Sequence, residues 1–193
     1  EEADRLNRLV SNLLEMTRLE AGAIEPKKEW QPVEEVIGAA LNRLGPELEG
    51  RLVSIDLQAH LPPVRIDGVL MEQALRNVVD NAYRYTAPGD LIDIRAEEVA
   101  DGVRITVGDR GCGLPPGDET RIFDKFYRGL EAEAGRSGVG LGLAVARGIV
   151  EAHGGRIWAE NREGGGALFH ILIPPSEMPD DLRLVQESEE GGA

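Results

Sequence analysis

The chain has a single cysteine, Cys112, only three histidines, and far fewer cationic than acidic residues, 21 against 35. One cysteine cannot form an internal disulfide, and such sparing use fits a reducing compartment. No apolar stretch approaches the roughly 18 residues that a membrane span needs, and no signal peptide is visible. The chain is therefore expected to be soluble and to make no direct membrane contact. A formal charge of −14 speaks against nucleic acid or an anionic membrane as a partner. The glycine patterns of two widespread nucleotide folds are missing too: no GxGxxG follows a first strand, and no GxxxxGK precedes Ser or Thr. No internal repeat occurs.

What is present is more pointed. At 193 residues there is room for one ordinary domain plus appendages, and 41% apolar content with strong periodicity predicts a packed core. The 24 glycines gather in two runs and a few turns, which points to close backbone approach to a ligand rather than general flexibility. The first run is Asp109-Arg110-Gly111-Cys112-Gly113-Leu114-Pro115, and 22 residues later comes Gly138-Val139-Gly140-Leu141-Gly142-Leu143. A carboxylate beside a glycine turn can read one edge of a base. A glycine cluster opening a helix offers bare N–H groups to phosphates. Asn77 and Asn81, one helical turn apart, suit a divalent cation shared with those phosphates. ATP is an anion and so is this chain, so such a pocket needs a metal ion and local cations. Arg84, Lys125, Arg128, Arg136 and Arg147 lie in or beside the motifs. Cys112 fills the variable position between two glycines and reads as incidental.

Leu6, Leu9, Leu13 and Met16 space an amphipathic helix that ends near Gly22. Its stripe must be buried, either on its own domain or in a helical hairpin that dimerises. Residues 26–32 suggest a linker and a first edge strand. The pattern then predicts a helix over 33–44, strands at 52–57 and 64–66, and a long helix capped by Asp67. Strands around Ile92 to Ala96 and Val103 to Val107 are joined at Asp101-Gly102. Residues 116–137 are polar and read as a lid. A helix over about 139–153 and strands at 157–160 and 167–173 complete the domain, leaving an acidic tail over 177–193 that is expected to be disordered. The sum is an α+β fold: a two-layer sandwich of a mixed, mostly antiparallel sheet with helices on one face. Residues 25–176 would form the catalytic unit, and 1–24 the end of a preceding hairpin. The chain begins in mid-pattern without an initiator methionine, as expected of a piece of a longer protein.

These residues closely resemble the catalytic domain of two-component sensor histidine kinases, in the GHKL superfamily (the Bergerat ATP-binding fold) shared with gyrase, Hsp90 and MutL. Asn77 to Thr86 matches the family's N box and Asp109 to Gly113 its first glycine box. Ile122-Phe123-Asp124-Lys125-Phe126-Tyr127-Arg128-Gly129 matches the F box, and Gly138 to Leu143 the second glycine box. Four boxes in order are far more specific than any one alone. Within the family, Lys27-Lys28-Glu29-Trp30, the F box and Gly138 to Ala144 are similar to the Kdp-type potassium-responsive sensor kinases.

The resemblance implies roles. Asp109 would accept from the exocyclic amine of adenine, with Gly111 and Gly113 letting the backbone approach the base. Asn81, with Asn77 beside it, would bind Mg²⁺. Tyr85 would pack on adenine, and Arg84 would contact phosphate. Lys125 and Arg128 would reach the phosphates as the lid closes, with Phe123 and Phe126 anchoring it. Gly138, Val139, Gly140, Leu141, Gly142 and Leu143 would cradle the triphosphate. Where gyrase and Hsp90 carry a glutamate that activates water, this chain has Asn77, an amide that cannot act as a general base. None of His60, His153 and His170 is followed by the acidic, arginine and proline pattern of the family's phosphoacceptor, so all three read as structural. The acceptor would lie upstream, on a homodimeric hairpin of a kinase in the inner or plasma membrane, with this domain on the cytoplasmic side. A response regulator would receive the phosphoryl group. Two other readings stay open: an anti-sigma-type protein serine kinase on the same fold, and a nucleotide-free dimerisation scaffold.

Overall fold

A computed structural model of the chain describes residues 25–45, 48, 51–128 and 139–177, together with Val10, Asn12, Leu13, Leu14, Met16 and Thr17. The remainder of the leading amphipathic segment, Gly138 with the second half of the expected lid, and nearly all of the acidic tail lie outside the described residues. The described positions of the leading segment are helical. Met16 packs against the domain core, whereas Val10, Leu13 and Leu14 stand about half exposed.

The domain is built from β1 (Glu29–Gln31), α1 (Val33–Leu44), β2 (Leu52–Leu57), β3 (Val64–Ile66), α2 (Gly68–Tyr85), β4 (Leu91–Val99), β5 (Gly102–Gly108), α3 (Gly142–Ala152), β6 (Arg156–Asn161) and β7 (Ala167–Ile173), with a short 3₁₀ turn at Arg121–Phe123 between β5 and α3. Five strands form the main sheet in the order β2-β4-β5-β7-β6. β2 runs parallel to β4, because β3 and α2 carry the chain across between them; every other pairing is antiparallel. The sheet is thus mixed and mostly antiparallel, as its alternating residues predict.

Strand alternation separates two faces. Ile92, Ile94 and Ala96 of β4, Val103, Ile105 and Val107 of β5, and Phe169, Ile171 and Ile173 of β7 are buried in one core with the apolar faces of the three helices. The opposite face carries Asp93, Arg95, Glu97, Arg104, Thr106 and His170. α1 buries Val33, Val36, Ile37, Ala40 and Leu44 at helical spacing, and α2 buries Met71, Ala74, Leu75, Val78, Val79 and Ala82. Each fully buried aliphatic side chain contributes about 1.5–3 kcal/mol. Asp67 caps α2, its carboxylate accepting from the Leu70 N–H at 3.2 Å.

Three details depart from the sequence pattern. β1 is not an edge of the main sheet; it pairs with β3 in a separate two-stranded ribbon, Trp30 opposite Arg65. β3 is held between Pro63 and the cap Asp67, too short to reach the large sheet. The β4–β5 hairpin pairs Val99 with Gly102, so its two-residue loop is Ala100-Asp101, one position earlier than the turn signal suggests. α3 begins at Gly142, three residues later than the periodicity, after the left-handed Gly140.

Candidate functional site

α2 and α3 lie side by side and run in opposite directions. At one end the Asp67 N–H donates to Nε2 of His153, at the close of α3. At the other, the carboxamide of Asn77 lies against Gly142, 3.8 Å from where a β-carbon there would sit. Gly142 opens α3, and the residue before it, Leu141, provides no side-chain cap. The first turn of α3 therefore starts beside Asn77 without a capping side chain. Asn77 itself is partly buried, and its Nδ2 is buried with no hydrogen-bond partner. A buried amide donor left unpaired costs about 1–3 kcal/mol, a deficit that a bound acceptor would remove.

Farther along α2, the Tyr85 carbonyl is packed so tightly on Gly111 that any β-carbon at 111 would collide with it. This contact brings the first glycine run against the C-terminal end of the N-box helix. Asp109, two residues earlier, is only 2% exposed. Its Oδ1 accepts from the Gly111 N–H at 2.8 Å and the Ala167 N–H at 3.2 Å. Burial pushes its carboxyl above the usual range, opposed by those two N–H bonds and by the positive charge of Arg162. Asn161, at the end of β6, clamps Leu114 on both sides, accepting from its N–H at 2.7 Å and donating to its carbonyl at 3.0 Å. Gly113 lies beside the same amide.

The F-box segment closes the circuit. The Phe126 N–H donates to the Gly140 carbonyl at 2.9 Å. Gly140 has φ of +74° and packs on the Phe126 and Tyr127 backbones, so no side chain would fit there. That left-handed residue is why α3 cannot start earlier. The Tyr127 hydroxyl donates to Asp118, and this bond raises its pKa, as does the nearby Tyr85. A run of contacts thus links these segments: Gly111 to Tyr85, Tyr85 to Tyr127, Tyr127 to Gly140, and Gly142 to Asn77.

Other expected site residues are placed as follows. Asn81 and Tyr85 are partly buried on α2, and Val139 and Leu143 are partly buried around the start of α3, while Leu141 is buried. Lys125 and Arg128 are exposed on the F-box segment. Arg84 is turned along its own helix, its Nε paired with Asp80 at 2.8 Å. Arg147 pairs with Glu151 in the same i,i+4 manner. Gly138 and Arg136 are outside the described residues. Phe123 belongs to the core, but Phe126 is 62% exposed with φ of +61°; it is not a buried anchor. Among the described residues no group of three His, Cys, Asp or Glu is placed to hold a metal ion. A divalent cation beside Asn77 would rest on amide oxygens and ligand phosphates. Among the histidines, His60 is in an exposed turn, while His153 and His170 are buried and hydrogen-bonded.

Sequence reasoning missed Asn161 and the pair Asp93–Arg162. Arg162 donates Nη1 to Asp93 Oδ2 at 2.6 Å and Nη2 to Oδ1 at 2.8 Å. The only hint was the Asn161-Arg162 step ahead of Gly164-Gly165-Gly166, which reads simply as a hairpin turn.

A mixed sheet backed by antiparallel helices, with an acid–glycine corner at the C-terminal end of α2 and an uncapped helix start beside Asn77, defines the ATP-binding fold of the histidine kinase and gyrase type. The family of histidine kinase-, DNA gyrase B- and HSP90-like ATPases matches residues 66–177, and the chain belongs to it. Over 173 residues it is 44% identical to the sensor protein KdpD of Escherichia coli (strain K12), a match that covers 90% of this chain and 19% of KdpD. The chain thus spans about a fifth of that relative's length. Among solved structures, full-length ShkA in complex with AMPPNP superimposes with a TM-score of 0.77 at 27% identity, over 92% of this chain and 38% of ShkA. Histidine kinase ThkA in complex with the response regulator TrrA gives 0.73 at 25% identity, over 90% of this chain and 49% of that one. Among the described residues no helix is long and apolar enough to cross a membrane.

Proposed function

We propose that this chain is the ATP-binding catalytic domain of a sensor histidine kinase, handing the γ-phosphoryl group of ATP to a histidine on an upstream helical hairpin. The observation that carries the reading is the unpartnered Asn77 amide beside the uncapped start of α3, on the helix whose C-terminal end packs against the glycine run of the buried Asp109. Unpaired donors at one end and an acceptor at the other suit a molecule with phosphates and an amino-purine. The AMPPNP in the ShkA complex supports the same assignment.

In this reading Asp109 accepts from the adenine amine, and Tyr85 flanks the base. Gly140, Leu141, Gly142 and Leu143 offer N–H groups to the phosphates, with Gly138 and Val139 leading into them. Lys125 and Arg128 supply charge from the F-box side. Asn81, aided by Asn77, would hold Mg²⁺, which when bound offsets the phosphate charge. Catalysis is then largely a matter of positioning and neutralisation. Hydrolysis is slow, because Asn77 is no base and the two nearest carboxylates are engaged: Glu72 with Arg43, Asp80 with Arg84. The likeness to KdpD supports a role of the whole kinase in a potassium or osmotic response, and the ThkA–TrrA complex supports a response regulator as its partner.

The test is binding of a fluorescent ATP analogue to wild-type, Asn81→Ala and Asp109→Ala chains. Loss of affinity in both variants, with the fold intact by circular dichroism, is expected. Unchanged affinity would remove the site. With Mg²⁺ and γ-labelled ATP, the chain alone should acquire no acid-labile phosphate, while an added upstream hairpin should.

A further inference from the structure

Behind Asp109 lies a second charged pair that the adenine reading does not use. Gly108, the residue before it, faces the polar side of the sheet directly opposite Asp93. A β-carbon at 108 would collide with the Asp93 carboxylate and would come within 3.0 Å of Arg162 Nη1. The two-pronged Asp93–Arg162 pair, with side chains 11% and 15% exposed, is therefore laid across the backbone that leads into Asp109. Arg162 is fastened there by its own N–H, which donates to Gly166, next to the Ala167 N–H that binds Asp109. A bidentate pair this enclosed holds a guanidinium far more firmly than an exposed one.

The two oxygens of Asp109 are not equivalent. Oδ1 accepts both backbone N–H bonds, so Oδ2 is left to face a base. Ionised, Oδ2 accepts from an amino group. Protonated, it becomes a hydroxyl donor suited to a keto oxygen. The charge on Asp109 thus chooses between purines. We propose that Arg162, set by Asp93, is a specificity-determining positioning residue that keeps Asp109 an acceptor and so makes the site choose 6-amino over 6-keto purine nucleotides. This rests on the ATP reading above. The charged groups that act on Asp109 are Arg162 from the β6–β7 loop, which favours its ionised form, and Asp93 from β4, which opposes it. Arg110 beside it, Glu160 on β6 and Glu163 in the loop are exposed, and α2 presents the Tyr85 carbonyl near Gly111 rather than a charge.

ATP and inosine triphosphate differ on one edge of the base, amino with a bare N1 against keto with an N1–H, and are the probes. Their affinities are measured from pH 5 to 8 for wild type, Asp93→Asn, Arg162→Met and the double variant. Arg162→Met should cut the ATP-over-inosine preference at least tenfold at pH 6 and move the acid loss of ATP affinity to higher pH. Asp93→Asn should move it lower, and the double variant should fall between wild type and Arg162→Met. A merely structural pair would harm both single variants alike and never lower the acid limit. If Arg162→Met does not fold, Asp93→Asn and the double variant keep the test alive, as does ligand-free titration of the Asp109 carboxyl by ¹³C NMR. Unchanged preference and unchanged midpoints in folded variants that bind ATP would overturn the proposal alone. A wild-type chain that binds neither nucleotide would overturn the ATP reading and this inference with it.

Discussion

The two ends of the α2–α3 pair have opposite polar economies. At one end the polar groups of Asp67 and His153 have found partners inside the protein. The His153 Nδ1–H donates to Ile149 at 2.8 Å, its Nε2 accepts from Asp67, and its carbonyl accepts from Lys28 Nζ at 3.0 Å. The Lys27 N–H closes the set on Asp67 Oδ2. The two His153 bonds together demand one neutral tautomer. At the Asn77–Gly142 end, a buried amide donor is unsatisfied and a helix start is uncapped. The same helices are finished at one end and left incomplete at the other. In this helix pair the unpaired amide marks where a ligand would complete the structure, and the paired groups mark where the structure completes itself.

That contrast can be broken by substitution. The largest effect is expected at the incomplete end: Asn77→Ala should weaken ATP binding at least tenfold, about 1.4 kcal/mol, while leaving thermal stability equal or slightly higher. A large loss of stability instead would mean that the amide has a partner after all. The complete end should answer in reverse. His153→Leu orphans the Asp67 N–H and the Ile149 carbonyl and should cost about 1–3 kcal/mol in denaturant unfolding, with ATP affinity of the folded fraction little changed.

Acid sharpens the same comparison. Burial holds the pKa values of His153 and His170 below the ordinary 6.5. The unfolded chain therefore takes up these protons first as pH falls. Their contribution is complete above about 6.5 and is lost on the way down toward the folded values. Unfolding free energy should fall from pH 7.5 to 5.5, and more shallowly in His153→Leu than in wild type; equal slopes would contradict the neutral-histidine junction. Smallest of all, Arg147→Ala removes an exposed helical pair with Glu151 and should change stability by only about 0.5 kcal/mol.

Much of this molecule is legible along the chain because much of it is local. Helical spacing marks α1, Asp67 marks the start of α2, and strand alternation marks β4, β5 and β7 with the face each buries. The glycine runs announce themselves because only glycine fits against the Tyr85 carbonyl and the F-box backbone. Other features are not legible at all. Phe126 looks like an anchor by type, yet its left-handed backbone turns it outward. Arg84 looks unengaged along the sequence, yet Asp80 one turn earlier pairs with its Nε. β1 looks like a sheet edge until β3 claims it.

By its sequence alone this protein determined its periodicities, its caps, its glycine hinges and the amide-for-carboxylate choice at Asn77, all properties of neighbouring residues or single side chains. Only the tertiary structure decided which distant groups meet: Asp93 with Arg162 across 69 residues, and Asp67 with His153 across 86. Such pairings follow from how the sheet and helices stack in space, and a buried charge or amide finds its partner only after that stacking has excluded water.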